Sequence, residues 1–237
     1  AEESVRALAS TGRVFVALGN QRGPLRRELP GMPGGGVFEF RSGSTVPDRF
    51  GFFVAGAGDA DGDGIDDFLI GAPGDGNPIL PQGGVFLVFG AEHFPGMVDL
   101  IMDPTRALLL TLTDGRGTLG LAGAGVGDVN ADGFADIALG MPHGLTAREG
   151  GPLRSTGKVL VVFGGTGLRG GPRILSLDSL EPPVGFEIPG FEEESELGFS
   201  VARAGDLDGD GVQDFALGAP RLRLNGSAFV MFGWPKS

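Results

Sequence analysis

The sequence predicts an all-β repeat fold, and three observations point to it. An acidic nine-residue segment recurs: Asp59-Ala-Asp61-Gly-Asp63-Gly64-Ile65-Asp66-Asp67, Asp128-Val-Asn130-Ala-Asp132-Gly133-Phe134-Ala-Asp136 and Asp206-Leu-Asp208-Gly-Asp210-Gly211-Val212-Gln-Asp214. Short apolar runs bounded by glycine flank each copy, such as Phe52-Phe-Val-Ala before the first and Phe68-Leu-Ile-Gly after it; runs of this length read as strands. The chain of 237 residues holds 46 Gly and 17 Pro. Without a period that composition suggests disorder; with one it is the turn punctuation of a repeating β fold. A hydrophobic content of 41% with 18 Phe supplies a core.

From the N-terminus, the first recognisable element is Gly12-Arg-Val-Phe-Val-Ala-Leu-Gly19, a strand that no acidic loop precedes. Val37-Phe-Glu-Phe40 reads as the next strand. Phe50-Gly51 then opens the first full repeat, which runs through its acidic loop, Gly71-Ala-Pro73 and Gly84-Val-Phe-Leu-Val-Phe-Gly90. The second repeat gives Leu119-Gly120, its loop, Gly140-Met-Pro142 and Gly157-Lys-Val-Leu-Val-Val-Phe-Gly164. The third gives Leu197-Gly198, its loop, Gly218-Ala-Pro220 and Gly226-Ser-Ala-Phe-Val-Met-Phe-Gly233. The closing glycines Gly19, Gly90, Gly164 and Gly233 fall 71, 74 and 69 residues apart. Three loops therefore accompany four copies of the strand that follows them.

The loop chemistry follows from spacing. Oxygen-bearing side chains occupy positions 1, 3, 5 and 9, and glycine at position 6 permits a sharp turn. Position 7 (Ile65, Phe134, Val212) offers a backbone carbonyl, so its side chain is free to be apolar. Hard oxygen ligands at alternate positions of a compact loop suit calcium. The predicted ligands are Asp59, Asp61, Asp63, Ile65 and Asp67; Asp128, Asn130, Asp132, Phe134 and Asp136; and Asp206, Asp208, Asp210, Val212 and Asp214. Three calcium ions are expected. An EF-hand is excluded, because it needs Glu at position 12 and flanking helices; position 12 here is Ile70, Leu139 or Leu217. Asn130 lowers the charge of the second loop by one, which predicts weaker binding there.

These loops and their Phe-Gly and Gly-Ala-Pro flanks resemble the FG-GAP repeat of the integrin alpha subunit head and its bacterial relatives, over roughly residues 12 to 233. The resemblance implies a β-propeller of four-stranded antiparallel blades, each with its calcium loop between the first and second strands. On that basis the chain is expected to be a single partial propeller: an incomplete blade at 12–49, calcium-loop blades at 50–118 and 119–196, and a calcium-loop blade at 197–237 without its last strand. The second repeat departs from the pattern, with Leu119-Gly, Gly-Met-Pro and Ala131 at loop position 4. Propellers close with about four to eight blades. The chain then reads as a piece of a longer propeller, an open arc, or a protomer whose copies complete one another's blades. Exposed strand edges favour self-association.

Net charge is −12. Setting aside the 11 predicted ligand aspartates from the 30 acids leaves 19 against 18 bases. The acidity is therefore ion-site carboxylate. No basic concentration marks a nucleic-acid footprint; Arg22, Arg26 and Arg27 read as a solvated loop. The absence of Cys excludes disulfides and thiol chemistry. No apolar run is long enough to span a membrane as a helix, and Ala1-Glu-Glu-Ser lacks the features of a signal peptide. A secreted or surface location is expected, where calcium is abundant.

No catalytic residue is predicted. His93 and His143 lie in connections, without the neighbours of a triad. Gly198-Phe-Ser200-Val is no nucleophile elbow, and Gly123-Ala-Gly125-Val-Gly127 lacks the spacing of a phosphate loop. Asp66, at position 8, reads as a solvent-facing group or one behind the ion's ligands, Trp234 as a core or edge-packing residue, and Phe86, Phe89, Phe163, Phe229 and Phe232 as core between blades. The leading expectation is a calcium-binding, integrin-alpha-like propeller serving in protein interaction or adhesion, with structural ions. The alternative is the propeller domain of a secreted carbohydrate-active or other hydrolytic enzyme. With no Tyr and one Trp, the chain is poorly equipped for sugar stacking.

Overall fold

The computed structural model describes residues 12–17, 37–44, 47–74, 83–103, 105–113, 118–148, 151–171, 173–178 and 180–235. The predicted arginine cluster Arg22, Arg26 and Arg27 lies outside these. The described residues form an all-β arrangement of several sheets of propeller-type blades, which is not closed.

Blade one pairs β1 (Arg13–Ala17) with β2 (Val37–Arg41). Blade two is built from β3 (Val54–Gly58), β4 (Asp67–Ala72), β5 (Gly84–Val88) and β7 (Ala107–Thr111). Its sheet also carries β13 (Ile174–Ser176), so it has five strands in the order β13-β7-β5-β4-β3. Blade three is β8 (Ala122–Gly127), β9 (Asp136–Met141), β12 (Lys158–Val162) and β14 (Gly185–Pro189). Between its second and third strands stands a hairpin, β10 (Leu145–Arg148) with β11 (Gly151–Ser155). Blade four is β15 (Ser200–Gly205), β16 (Asp214–Ala219) and β17 (Ser227–Met231).

The extra strand of blade two departs from the expected four-stranded blade, and it recurs. β6 (Met97–Asp99) lies between β5 and β7 in the chain but pairs in parallel with β2 of blade one. β13 lies between β12 and β14 but pairs in parallel with β7 of blade two. In both cases the connection from third to fourth strand reaches back to the outer strand of the preceding blade. That outer strand would otherwise expose a row of unpaired backbone groups.

The strands β4, β5 and β7 of blade two are apolar on both faces because both faces are covered. Leu69, Leu87 and Leu110 pack against Ile137, Leu139 and Leu160 of blade three. Ile70, Phe86 and Leu109 turn the other way, against Val14 and Phe40 of blade one. Each such side chain contributes roughly 1.5–3 kcal/mol on burial. Blade four has one covered face: Phe215 and Leu217 meet Ala138, Val159 and Val161 of blade three, whereas Val230 is 44% exposed. Phe232, expected in the core, is 54% exposed, because no blade among the described residues covers that side. Trp234 packs at an edge, with ring centroids 5.2 Å from Phe186 and 6.2 Å from Phe163.

Candidate metal centre

The three acidic segments join β3 to β4, β8 to β9 and β15 to β16, each within an antiparallel hairpin. A register shift precedes each loop, between Gly56 and Gly58, Gly125 and Gly127, and Arg203 and Gly205. The glycine at the shift has φ of 73°, 81° or 82°. This bulge turns the chain out of the sheet and into the loop.

Inside the loops the side chains fold back onto their own backbone. In loop one, Asp59 Oδ1 accepts from the N–H groups of Gly62 and Asp63, and its Oδ2 from that of Gly64. Asp61 Oδ1 accepts from Asp63 N–H, and Asp63 Oδ1 from Ile65 N–H. In loop two Asp128 accepts from the N–H groups of Asp132 and Gly133, Asn130 Oδ1 from Asp132 N–H and Asp132 Oδ1 from Phe134 N–H; in loop three Asp206, Asp208 and Asp210 repeat the full set of loop one. The backbone donors thus gather the side chains around one point. Oxygens of Asp59, Asp61 and Asp67 lie within 4.8 Å of one another, as do those of Asp206, Asp208 and Asp210.

Position 9 makes contacts that the spacing did not reveal. Asp67 Oδ1 accepts from Gly90 N–H at 2.7 Å, and Oδ2 from Ala60 N–H at 3.1 Å. Asp136 links Gly164 and Val129 in the same way, and Asp214 links Gly233 and Leu207. The glycine that ends each third strand is therefore tied to the loop of its own blade. A Cβ on Gly90 would come 2.5 Å from Asp66 O, which leaves no space for a side chain there.

The loops are also joined across blades. Asp59 O accepts from Ala135 N–H, and Asp128 O from Gln213 N–H. Ala60 O accepts from Gly165 N–H, and Val129 O from Trp234 N–H. The three loops therefore form one continuous rim. Gly62 of loop one faces the ring of Phe134, the position 7 residue of loop two.

Burial differs along this rim. Asp61, Asp67, Asn130, Asp136 and Asp214 are buried, whereas Asp206, Asp208 and Asp210 are exposed. Burial pushes the Asp67 carboxyl up to about 6, opposed by the Gly90 N–H, and the Asp136 carboxyl up to about 7. Asp61 is raised for the same reason, with Arg169 acting against the shift. Asp61 Oδ2 has no well-aligned hydrogen bond; its partner is the charge of Arg169, with Nε 2.6 Å away. Asn130 Nδ2 is a buried donor without a partner among the described residues. Asp66, His93 and His143 are exposed.

The donor set fits a hard divalent cation. It is all oxygen, it concentrates carboxylates at separations where like charges repel, and backbone N–H groups hold those carboxylates in place. Arg169 is the residue of this centre that sequence reasoning missed. It lies 106 positions from Asp63, in the four-residue helix α1 (Gly167–Gly170), which carries no motif.

The chain is similar to known proteins. The FG-GAP repeat family model matches residues 197–231. The chain is 33% identical to integrin alpha-5 of Xenopus laevis over 184 residues, which is 75% of this chain and 15% of that protein. It is 34% identical to integrin alpha-IIb of Homo sapiens over 188 residues, again 75% of this chain and 15% of the relative. Against integrin alpha-PS2 of Drosophila melanogaster it is 30% identical over 191 residues, 75% of this chain and 12% of that protein. The chain thus spans well under a fifth of the length of these relatives. On its repeats, its blades and these similarities, it is an FG-GAP repeat protein of the integrin-alpha-like kind.

Proposed function

We propose that this chain is a calcium-stabilised propeller module for protein interaction or adhesion, with no chemistry of its own. The observation that carries the reading is the continuous rim, in which each acidic loop is hydrogen-bonded to the loop of the next blade. Calcium in loop one would be held by Asp59, Asp61, Asp63, Asp67 and the Ile65 carbonyl. The other two loops would use Asp128, Asn130, Asp132, Asp136 and the Phe134 carbonyl, and Asp206, Asp208, Asp210, Asp214 and the Val212 carbonyl. Bound there, the ion supplies positive charge that offsets the mutual repulsion of the carboxylates.

The ions are read as structural because the loops are blade joints. A rigid rim and blade faces remain for a protein partner, as the similarity to integrin alpha subunits supports. A secreted or surface location accords with the same similarity and with loops that fill at extracellular calcium levels. No helix among the described residues is long and apolar enough to cross a membrane. Self-association through the exposed edge of blade four is part of this reading. Calorimetric titration of the metal-depleted chain should count three calcium ions, and uptake of none would overturn the reading. Sedimentation in calcium should show species heavier than 24.3 kDa; a lone monomer would remove the self-association.

A further inference from the structure

Arg169 belongs to the connection between β12 and β14 of blade three, yet its guanidinium ends inside loop one of blade two. Its Nε lies 2.6 Å from Asp61 Oδ2, and its Nη1 pairs with Asp63 Oδ2. Nη2 donates to the carbonyl of Gly90 at 2.9 Å. The guanidinium carbon stands 5.0 Å from the centroid of the Phe89 ring. In both aspartates Oδ1 already accepts a backbone N–H. The Oδ2 atoms are therefore the oxygens best placed to turn to an ion, and the arginine holds both.

A guanidinium and a calcium ion cannot occupy the same two oxygens, because both are cations that need close approach. The other loops differ. Position 3 of loop two is Asn130, which is neutral. In loop three no ion pair joins Asp206, Asp208 or Asp210 to a cation among the described residues. Space is available beside loop one: a cavity of about 260 Å³ is lined by Asp63, Ile65, Phe89, Thr105, Arg106 and Arg169 itself.

We infer that Arg169 is a built-in counter-cation of loop one, which calcium must displace to bind there. Filling of loop one then releases the blade-three connection, making this loop a calcium-responsive joint in an otherwise structural rim. The inference rests on the reading of the loops as calcium sites. α1 transmits the change, since its Leu168 packs against the core shared by blades two and three.

The test uses Arg169→Met and Arg169→Lys in the full chain. In Arg169→Met one of the calcium-binding phases should tighten by about three- to tenfold, the range expected for removing a partly exposed ion-pair competitor. The same variant should melt lower than wild type in metal-depleted buffer, since loop one has lost its counter-ion. Arg169→Lys keeps the charge without the fork and should fall between the two; it also serves if Arg169→Met does not fold. Hydrogen exchange of peptides covering 164–171 should speed up when calcium is added to wild type. Unchanged or weaker calcium binding in both variants, or exchange that slows on calcium addition, would overturn the inference. If neither wild type nor Arg169→Met takes up calcium, the calcium reading itself fails and this inference falls with it.

Discussion

The carbonyl oxygen of Gly198 lies 1.9 Å from the point where a β-carbon on Gly140 would sit. Gly140 is the first residue of the Gly-Met-Pro segment of blade three, and Gly198 is the second of the Leu-Gly pair that opens blade four. The same contact joins blades two and three, where a β-carbon on Gly71 would come 2.4 Å from Gly120 O. The Gly-x-Pro segment of one repeat and the Leu-Gly pair that opens the next are thus two sides of one joint. Gly198 and Gly120 also have φ of 87° and 93°, which disfavours any side chain. Gly140→Ala should therefore destabilise the protein by about 1–3 kcal/mol, the usual cost of overpacking, read as a lower thermal midpoint. Gly56→Ala is the control, since a β-carbon there meets nothing within 4 Å among the described residues; an equal loss in both would remove the joint from the explanation.

Ala131 holds φ of 55° at position 4 of loop two, where loops one and three have Gly62 and Gly209 at 78° and 80°. An alanine in this left-handed region costs roughly 1 kcal/mol. Ala131→Gly should raise the thermal midpoint slightly, within the ~1 kcal/mol set by that strain and the opposing entropy of glycine. Gly62→Ala should lower it by more, because its β-carbon would also lie 2.3 Å from the ring of Phe134. A midpoint lowered by Ala131→Gly would show that the strain is not stored there.

Loop two carries Asn130, whose buried Nδ2 lacks a partner among the described residues. Replacing that donor by a second carboxylate oxygen should matter in opposite ways with and without the ion. Asn130→Asp is expected to tighten one calcium-binding phase, because ligand charge tunes affinity. It should also lower the midpoint in metal-depleted buffer, where a buried charge is added beside Asp128, Asp132 and Asp136. A variant that melts higher without calcium would contradict the placement of a metal at this loop.

The buried acids set the pH dependence. Asp67 is raised from 3.8 to about 6 and Asp136 from 3.8 to about 7. Between those limits the metal-free folded chain holds protons that the unfolded chain has released. These groups therefore favour the metal-free fold most below pH 3.8, and that contribution is lost as pH rises to about 7. Calcium requires the ionised carboxylates, so its affinity should climb over the same interval. Melting curves in metal-depleted and calcium-containing buffers from pH 4 to 8 should diverge upward in pH; parallel curves would contradict the assignment.

What the sequence made legible was local and periodic. The loops stand out because their acidic residues lie within nine positions of one another, and the hairpins follow from apolar runs on either side. The strand ending at Gly90 was legible from its repeats, but its tie to Asp67 was not, since that bond spans 23 residues. β6 and β13 are three residues long and pair with another blade, so no alternation announces them. Arg169 sits in a segment without a motif, and only the packing of blade three on blade two brings it to Asp61. Phe232 differs from the expected core position for a related reason: it follows the apolar strand β17, but its exposure depends on whether a neighbouring blade covers that side.

The central claim is that calcium in these loops fastens the blades together, and the thermal midpoint with and without the ion tests it most directly. Three sites with dissociation constants of about 10⁻⁴ M, at about 1 mM calcium, would add roughly 4 kcal/mol. For a chain of this length that is on the order of ten degrees. A midpoint that rises by that order in calcium, and falls back when a chelator is added, is the predicted result. A midpoint indifferent to both calcium and chelator would contradict it.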